Sequence, residues 1–276
     1  LLYRPLVVPL NRLRDRAAAL RADDLDSQAP LALMRRRDEL GELAHAFEHM
    51  ASRLRSSLNQ QRLLLRTLSH ELRTPLARLR IAHDSQLPNA QLRQRLDREI
   101  DDMQHLLEDT LNLAWMDTER PQLTREPVLV LSVWEALRED ACFESQWPVD
   151  RMPCLLSTDC CVNVNLDSLA QALENLLRNA IRYSPLQGKV TLSGWREGDA
   201  WHLCLKDEGP GVPPDELDTL FVPYQRLSGC VGEGFGLGLA IAQRAIELQQ
   251  GRLWATNERP GLCMHLLLPA AQAEGD

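Results

Sequence analysis

The chain has 276 residues and a formal net charge of −8, with 44% of residues apolar and 25% charged, the texture of a folded protein of two or three domains rather than a disordered tail. The acidic balance provides no general basic field for a phosphate backbone, so nucleic acid is not an expected partner. Seven cysteines, scattered and never spaced C-x-x-C, argue for a reducing compartment and against a zinc site or a disulfide framework.

The chain opens with "LLYRPLVVPL", an apolar stretch too short and too broken by Arg4, Pro5 and Pro9 to cross a bilayer, which needs ~20 apolar residues. It reads either as the end of a span that begins upstream or as a basic amphipathic surface helix. Arg4, Arg12, Arg14, Arg16 and Arg21, set against Asp15 alone, are the bias expected on the inner flank of a membrane. Residues 1–56 carry two amphipathic helical patterns, Pro9 to Leu20 and Leu40 to Leu54, with a polar connector and the punctuation "DELGEL" at Asp38 to Leu43.

Residues 57–117 read as a helical hairpin interrupted at "LPNA", Leu87 to Ala90. Leu54, Leu58, Leu65, Leu68 and Leu72, with Gln61 between, recur in steps of four and three, the pattern of a heptad seam. Leu92, Leu96, Ile100, Met103, Leu107, Leu111 and Ala114 supply an antiparallel mate. Two helices bury little by themselves, so a dimeric four-helix bundle is the expected completion.

Residues 118–126 form a linker, and from 127 to 270 the texture is α/β, followed by a short tail over 271–276. Strands are expected at Cys161 to Leu166, Lys189 to Trp195, Ala200 to Asp207 and Leu262 to Pro269, with helices at Asp167 to Tyr183 and about Leu237 to Gln250.

Four stretches carry chemistry. In "LSHELRTPLARLR", placing Leu65 and Leu72 at heptad position a puts His70 at f, furthest from the seam and facing water. Thr74 follows one turn later on the same side, and Glu71 adjoins. A carboxylate that holds the Nδ1 proton leaves Nε2 as a nucleophile or base. A zinc-protease H-E-x-x-H would need a histidine where Thr74 stands. Pro75 deletes a helical hydrogen bond at a cost of ~3 kcal/mol and marks an expected bend.

In "DSLAQALENLLRNAIRY", Leu169, Leu173, Leu176 and Ala180 mark a buried face, while Gln171, Asn175, Asn179 and Arg182 form a second stripe. Asparagine is a poor helix former; amide oxygens suit a hard cation such as Mg²⁺, and amide and guanidinium donors suit phosphates. An ordinary solvated face is the competing reading. "DEGPG" (Asp207 to Gly211) and "GEGFGLGLAI" (Gly232 to Ile241) place glycines at the end of a strand and ahead of a helix N-terminus, which makes a phosphate cradle or a flexible loop. Neither G-x-G-x-x-G nor G-x-x-x-x-G-K-[ST] occurs.

Taken in order, "SHELRTPL", "LENLLRNAIRYSP", "DEGPG", "LFVPYQR" (Leu220 to Arg226) and "GFGLGLAI" resemble the phosphoacceptor, N, first glycine, F and second glycine boxes of two-component sensor histidine kinases. The first region is similar to a HAMP module. The resemblance implies a multidomain α and α/β chain: a helical HAMP module, a dimeric four-helix bundle and an α/β sandwich of the GHKL (Bergerat) ATPase type. It also implies ATP and Mg²⁺ as cofactors, autophosphorylation on His70, transfer to an aspartate of a response regulator, and a homodimer at the inner membrane with this portion cytoplasmic. A GHKL ATPase or nucleotide-binding adaptor without phosphotransfer is the alternative.

In that scheme Glu71 accepts the Nδ1 proton, and Thr74 positions water for phosphatase activity. Asp207 takes the adenine amino group, Asn179 the metal, and Asn175, Arg182 and Tyr183 lie near the phosphates. Gly209, Gly211, Gly234, Gly236, Leu237 and Gly238 belong to the nucleotide cradle, with a lid over about 227–234. Arg226 meets the γ-phosphate. Tyr224 stands where phenylalanine is common, and Leu262 where threonine is frequent, so Leu262 receives no nucleotide role.

Overall fold

The computed structural model describes residues 7, 8, 10, 11, 14, 38–83, 89–119, 123–225 and 235–271. It divides into two compact units, Leu1–His70 and Glu71–Asp276. Most of the expected first amphipathic pattern, and residues 226–234, lie outside the described residues. Among those described, no helix is long and apolar enough to cross a membrane.

Helix α1 (Glu39–His83) begins where "DELGEL" was read as punctuation, and the reason is a cap. The Asp38 carboxylate accepts from the Gly41 N–H at 3.2 Å, satisfying one donor that a helix start leaves open. In the first unit Ala44 and Ala51 are buried while Leu43, Met50, Leu54 and Leu65 remain exposed. His70 is exposed, as its heptad position requires. The helix runs unbroken across position 56 and continues through Pro75.

The second unit contains the rest of α1, helix α2 (Asn89–Glu119) and the α/β part. In chain order this holds β1 (Glu126–Leu129), α3 (Val130–Ser145), β2 (Cys154–Leu155), β3 (Cys161–Val164), α4 (Leu166–Tyr183), β4 (Thr191–Glu197), β5 (Ala200–Lys206), α5 (Gly238–Glu247), β6 (Arg252–Asn257) and β7 (Leu262–Pro269). The main sheet has the order β2-β4-β5-β7-β6, and β1 pairs with β3 as a separate ribbon. The β2–β4 pair is parallel and the other pairs of the main sheet are antiparallel.

Alternation along the strands turns Leu192, Leu203, Leu205, Leu253, Leu266 and Leu268 into a buried layer. Helices α4 and α5 supply the opposing layer, including Leu169, Leu173, Leu176, Ile241 and Ala245. The α4 start is capped by Asn165, whose side chain accepts from the Ser168 N–H at 3.1 Å. Buried Gln249 joins the two helices: its Nε2 donates to the Ala245 carbonyl at 3.0 Å and its Oε1 accepts from the Asn165 N–H at 2.6 Å.

Elements without a clear sequence signature are β1, α3, β2 and β6. Pro127 argues against a strand at β1, which survives as half of a two-stranded ribbon. The α3 sequence is rich in modest helix formers, and burial of Val130, Val133 and Trp134 makes it a helix.

On α2 the expected seam is left uncovered, with Ile100, Leu107 and Leu111 exposed, while Leu106, Thr110, Leu113 and Met116 are buried. The helix therefore has a second apolar face, and the unit packs α2 along α5.

The sheet surface away from the helices corrects the cysteine reading, since Cys204 on β5 and Cys263 on β7 are joined by a disulfide. His202, His265, Trp195 and Trp254 surround them, with Trp195 and His202 rings 4.2 Å apart and Trp254 and His265 rings 5.1 Å apart and stacked. Burial, then the neighbouring His202, push the His265 imidazole below its ordinary pKa, against a smaller opposing pull from Glu258.

Leu173 is fully buried between α4 and the sheet, so Leu173→Ala is expected to destabilise the second unit by about 2–5 kcal/mol, read from the midpoint shift in urea denaturation.

Candidate active site

A cavity of about 840 Å³ opens in the second unit, a size suited to a nucleotide-scale ligand. Glu71, Thr74 and Pro75 line it from α1. Across from them stand Asn175, Asn179, Arg182 and Tyr183 from α4, Asp207 from the end of β5, and Gly236, Leu237 and Gly238 at the start of α5. The amide stripe and the glycine-rich turn, far apart in sequence, thus share one space with two of the three expected catalytic residues.

Asp207 is buried, and its Oδ1 accepts from the Gly209 N–H at 2.8 Å and the Leu262 N–H at 3.1 Å. Both backbone bonds go to one oxygen, so Oδ2 is not committed to the backbone. Burial raises the carboxyl pKa above the ordinary aspartate value, and the two N–H bonds oppose that rise without cancelling it. Gly209 does not line the cavity; it acts through this bond. Leu262, given no nucleotide role from sequence, holds Asp207 with its backbone N–H and is among the residues that line the cavity.

Several glycines here are required by close approach, Gly261 and Gly238 among them. A Cβ on Gly261, where φ is +95°, would collide with the Asp207 carbonyl. A Cβ on Gly238 would come within 2.7 Å of Asn175 Oδ1, so the N-terminus of α5 packs directly on the amide stripe. Asn175 Nδ2 donates to the Gln171 carbonyl at 2.9 Å, which fixes the rotamer. Gly211 lines the cavity. The loop there is pinned by Asn257, whose Oδ1 accepts from the Val212 N–H at 2.8 Å while its Nδ2 donates to the Val212 carbonyl at 2.6 Å. Arg226, Gly234 and the expected lid lie outside the described residues.

The donor set fits a nucleotide and a hard cation. Helix α5 has no side-chain cap, so its first N–H groups are available to an anion. Among the described residues the Asn179 amide has no protein partner, leaving its oxygen for a metal ion.

Sequence reasoning missed the contribution of α2. His105 and Asp109 line the cavity, as does Arg178 on α4. Burial raises the Asp109 pKa, with His105 and then Arg178 pulling it down. Tyr224, the departure from the F-box pattern, donates its hydroxyl to Thr110 Oγ1 at 3.3 Å, and Thr110 donates to the Leu106 carbonyl at 2.7 Å. Arg244 Nε lies 2.8 Å from Asp117 Oδ1 further along α2. A tyrosine in place of phenylalanine was the one available signal of this relay.

A mixed sheet with an amide-bearing helix and an uncapped, glycine-opened helix meeting at a buried aspartate defines a GHKL-type ATP-binding domain, here following a helical hairpin. The family described as "Histidine kinase-, DNA gyrase B-, and HSP90-like ATPase" matches residues 164–272, "His Kinase A (phospho-acceptor) domain" matches 60–119, and "HAMP domain" matches 1–56. The chain is 76% identical over 273 residues to "Sensor protein PfeS" of Pseudomonas aeruginosa, covering 98% of this chain and 61% of that protein. It is 30% identical over 267 residues to "Signal transduction histidine-protein kinase BaeS" of Escherichia coli, covering 93% of this chain and 56% of that one. Among solved structures, "Acinetobacter baumannii histidine kinase AdeS" superposes with a TM-score of 0.61 at 26% identity, over 74% of this chain and 98% of that one. The chain belongs to the two-component sensor histidine kinases, and it spans about three fifths of the length of the first of these relatives.

Asp207→Asn keeps an Oδ1 acceptor for Gly209 and Leu262 but removes the charge, and should lower ATP affinity roughly 10- to 100-fold, the worth of a charged hydrogen bond, in a calorimetric titration. Because the folded carboxyl holds its proton more tightly than the unfolded one, acidification through its raised pKa adds to folding stability, and it should weaken ATP binding if Asp207 accepts from the adenine amino group. Wild-type affinity should therefore fall at a pH where ordinary aspartates are still charged, and the variant should lack that step. Thr110→Val removes the acceptor of Tyr224, and should cost about 1 kcal/mol of stability in the same denaturation experiment, with no further loss in Thr110→Val/Tyr224→Phe.

Proposed function

We propose that this chain is the signalling and kinase portion of a membrane-anchored two-component sensor. In this reading it phosphorylates His70 from ATP, passes the phosphoryl group to an aspartate of a response regulator, and also dephosphorylates that regulator. One observation carries the reading: Glu71 and Thr74, from the turn that bears the exposed histidine, line the same cavity as Asn175, Asn179, Asp207 and the start of α5. A plain ATPase has no need of a phosphoacceptor helix in its nucleotide cavity.

The adenine amino group donates to Asp207, and the open N–H groups at Gly236, Leu237 and Gly238 take the phosphates, with Asn175, Arg182 and Tyr183 beside them. Asn179 would hold Mg²⁺, which when bound neutralises phosphate charge. His70 Nε2 attacks the γ-phosphorus, the bond to the bridging oxygen breaks, and ADP departs with that electron pair. Glu71 takes the Nδ1 proton from the imidazolium that forms. Phosphoryl transfer is chiefly a matter of placing charge, which in this reading is the work of the donors named here. Thr74 orients water against the phosphorylated regulator for the reverse signal.

Homodimerisation is supported by exposed leucines at seam positions of each helix, Leu54 and Leu65 on α1 and Leu107 and Leu111 on α2, the kind of apolar stripe that a four-helix bundle buries. The basic N-terminal flank supports anchoring at the inner membrane with this portion cytoplasmic, and the domain limits read from sequence, 1–56, 57–117 and 127–270, are retained.

Incubation with γ-labelled ATP and Mg²⁺ should give acid-labile, alkali-stable label on the wild type and none on His70→Gln; label on the variant would remove His70 from the scheme. Glu71→Gln should slow labelling by about 10²-fold, within the range of a positioned base, with ATP affinity unchanged.

A further inference from the structure

The outer surface of the main sheet carries a cluster that phosphotransfer does not use. Its sequence signature is H-x-C on β5, His202 to Cys204, and C-x-H on β7, Cys263 to His265. Residues two apart on a strand share a face. The antiparallel register sets Cys204 opposite His265 and places Cys263 opposite Lys206. Two histidines and two cysteines therefore occupy adjoining corners of one surface. The sulfurs of Cys204 and Cys263 and a ring nitrogen of His265 all lie within 4.8 Å of one another.

Two of the separations are those of ligands around one ion. With zinc–nitrogen and zinc–sulfur bonds of ordinary length, tetrahedral geometry sets about 3.3 Å between two nitrogens and about 3.6 Å between nitrogen and sulfur. Here His202 Nε2 is 3.1 Å from His265 Nδ1, and Cys263 Sγ is 3.8 Å from the same Nδ1. The far nitrogens are already engaged: His202 Nδ1 faces Glu197 Oε2 at 3.2 Å, and His265 Nε2 faces Thr256 Oγ1 at 2.7 Å. When those outer nitrogens donate, two lone pairs converge between the rings. A metal-binding histidine commonly donates its second N–H to an oxygen in this way.

We propose that His202, Cys204, Cys263 and His265 form a binding site for a borderline, thiophilic divalent cation of the zinc class, open when the disulfide is reduced and closed when it forms. A dithiol or phosphine reductant supplies two electrons to the S–S bond, and the two sulfurs take up two protons. The cation then displaces those protons and is held by two thiolates and two neutral imidazoles, so the complex carries no net charge in its partly buried position.

The test is a Co²⁺ titration of the whole chain, followed by displacement with Zn²⁺. The phosphine-reduced chain should bind one Co²⁺ with thiolate-to-cobalt absorption and quenching of the fluorescence of Trp195 and Trp254, whose rings touch the two histidines. The chain oxidised to the loss of two titratable thiols should show neither. Cys204→Ser/Cys263→Ser should lose at least 100-fold in affinity while still binding ATP, which verifies its fold. Thr256→Val, removing the partner of His265, should weaken binding about 10-fold. Absence of thiolate absorption in the reduced wild type would overturn the site, as would absorption that survives in the double serine variant. Absorption equal in the oxidised and reduced chains would also overturn it. The free cysteines Cys160 and Cys161 would account for either kind of surviving signal.

Discussion

The Oδ1 atom of Asp207 is the acceptor on which the site depends. It takes one N–H from the loop that leaves β5 and another from the first residue of β7, so a single buried oxygen determines where a strand end, a glycine turn and a neighbouring strand meet. Burying a carboxylate is unfavourable, and the raised pKa records that. Two backbone donors offset part of the cost and hold the group in one place. Gly261 completes the arrangement because no side chain fits against the Asp207 backbone.

Around that atom, α4 answers two demands at once. One face is leucine and alanine, packed on the sheet with α5. The other presents amides and arginines to the cavity. The two faces are coupled through Gly238, which lets α5 start against Asn175, and through Gln249, which ties the far end of α5 to the cap of α4. Core packing and the lining of the cavity are therefore carried by the same pair of helices.

Helix α2 is divided in a similar way. Leu106, Leu113 and Met116 turn inward, with the Tyr224–Thr110–Leu106 relay and the Arg244–Asp117 pair alongside. Leu107 and Leu111 face outward along the seam. One face serves contact with the α/β part of the unit, and the other stays exposed. Heptad arithmetic finds a stripe of period 3.5, so it identified the outer seam and passed over the inner face. In that face Thr110 interrupts the apolar pattern, and only its hydrogen bonds explain its burial.

The sequence by itself determined the two long helices α1 and α2, the exposure of His70 and the strands β5 and β7. It also singled out Asn175, Asn179, Asp207, Gly236 and Gly238, which the fold brings to one cavity. Each of these rests on a local period or on residue types whose conformational needs are local. Tertiary structure alone decided that Leu262 and Gly209 hold Asp207, that Asn257 pins the loop at Val212, and that Thr110 meets Tyr224. It also joined Cys204 to Cys263, against the expectation drawn from cysteine spacing. The cause is the same in each case: these contacts cross between strands or helices, and neither the β-sheet register nor the packing of one helix on another is written in the spacing of residues along a single element.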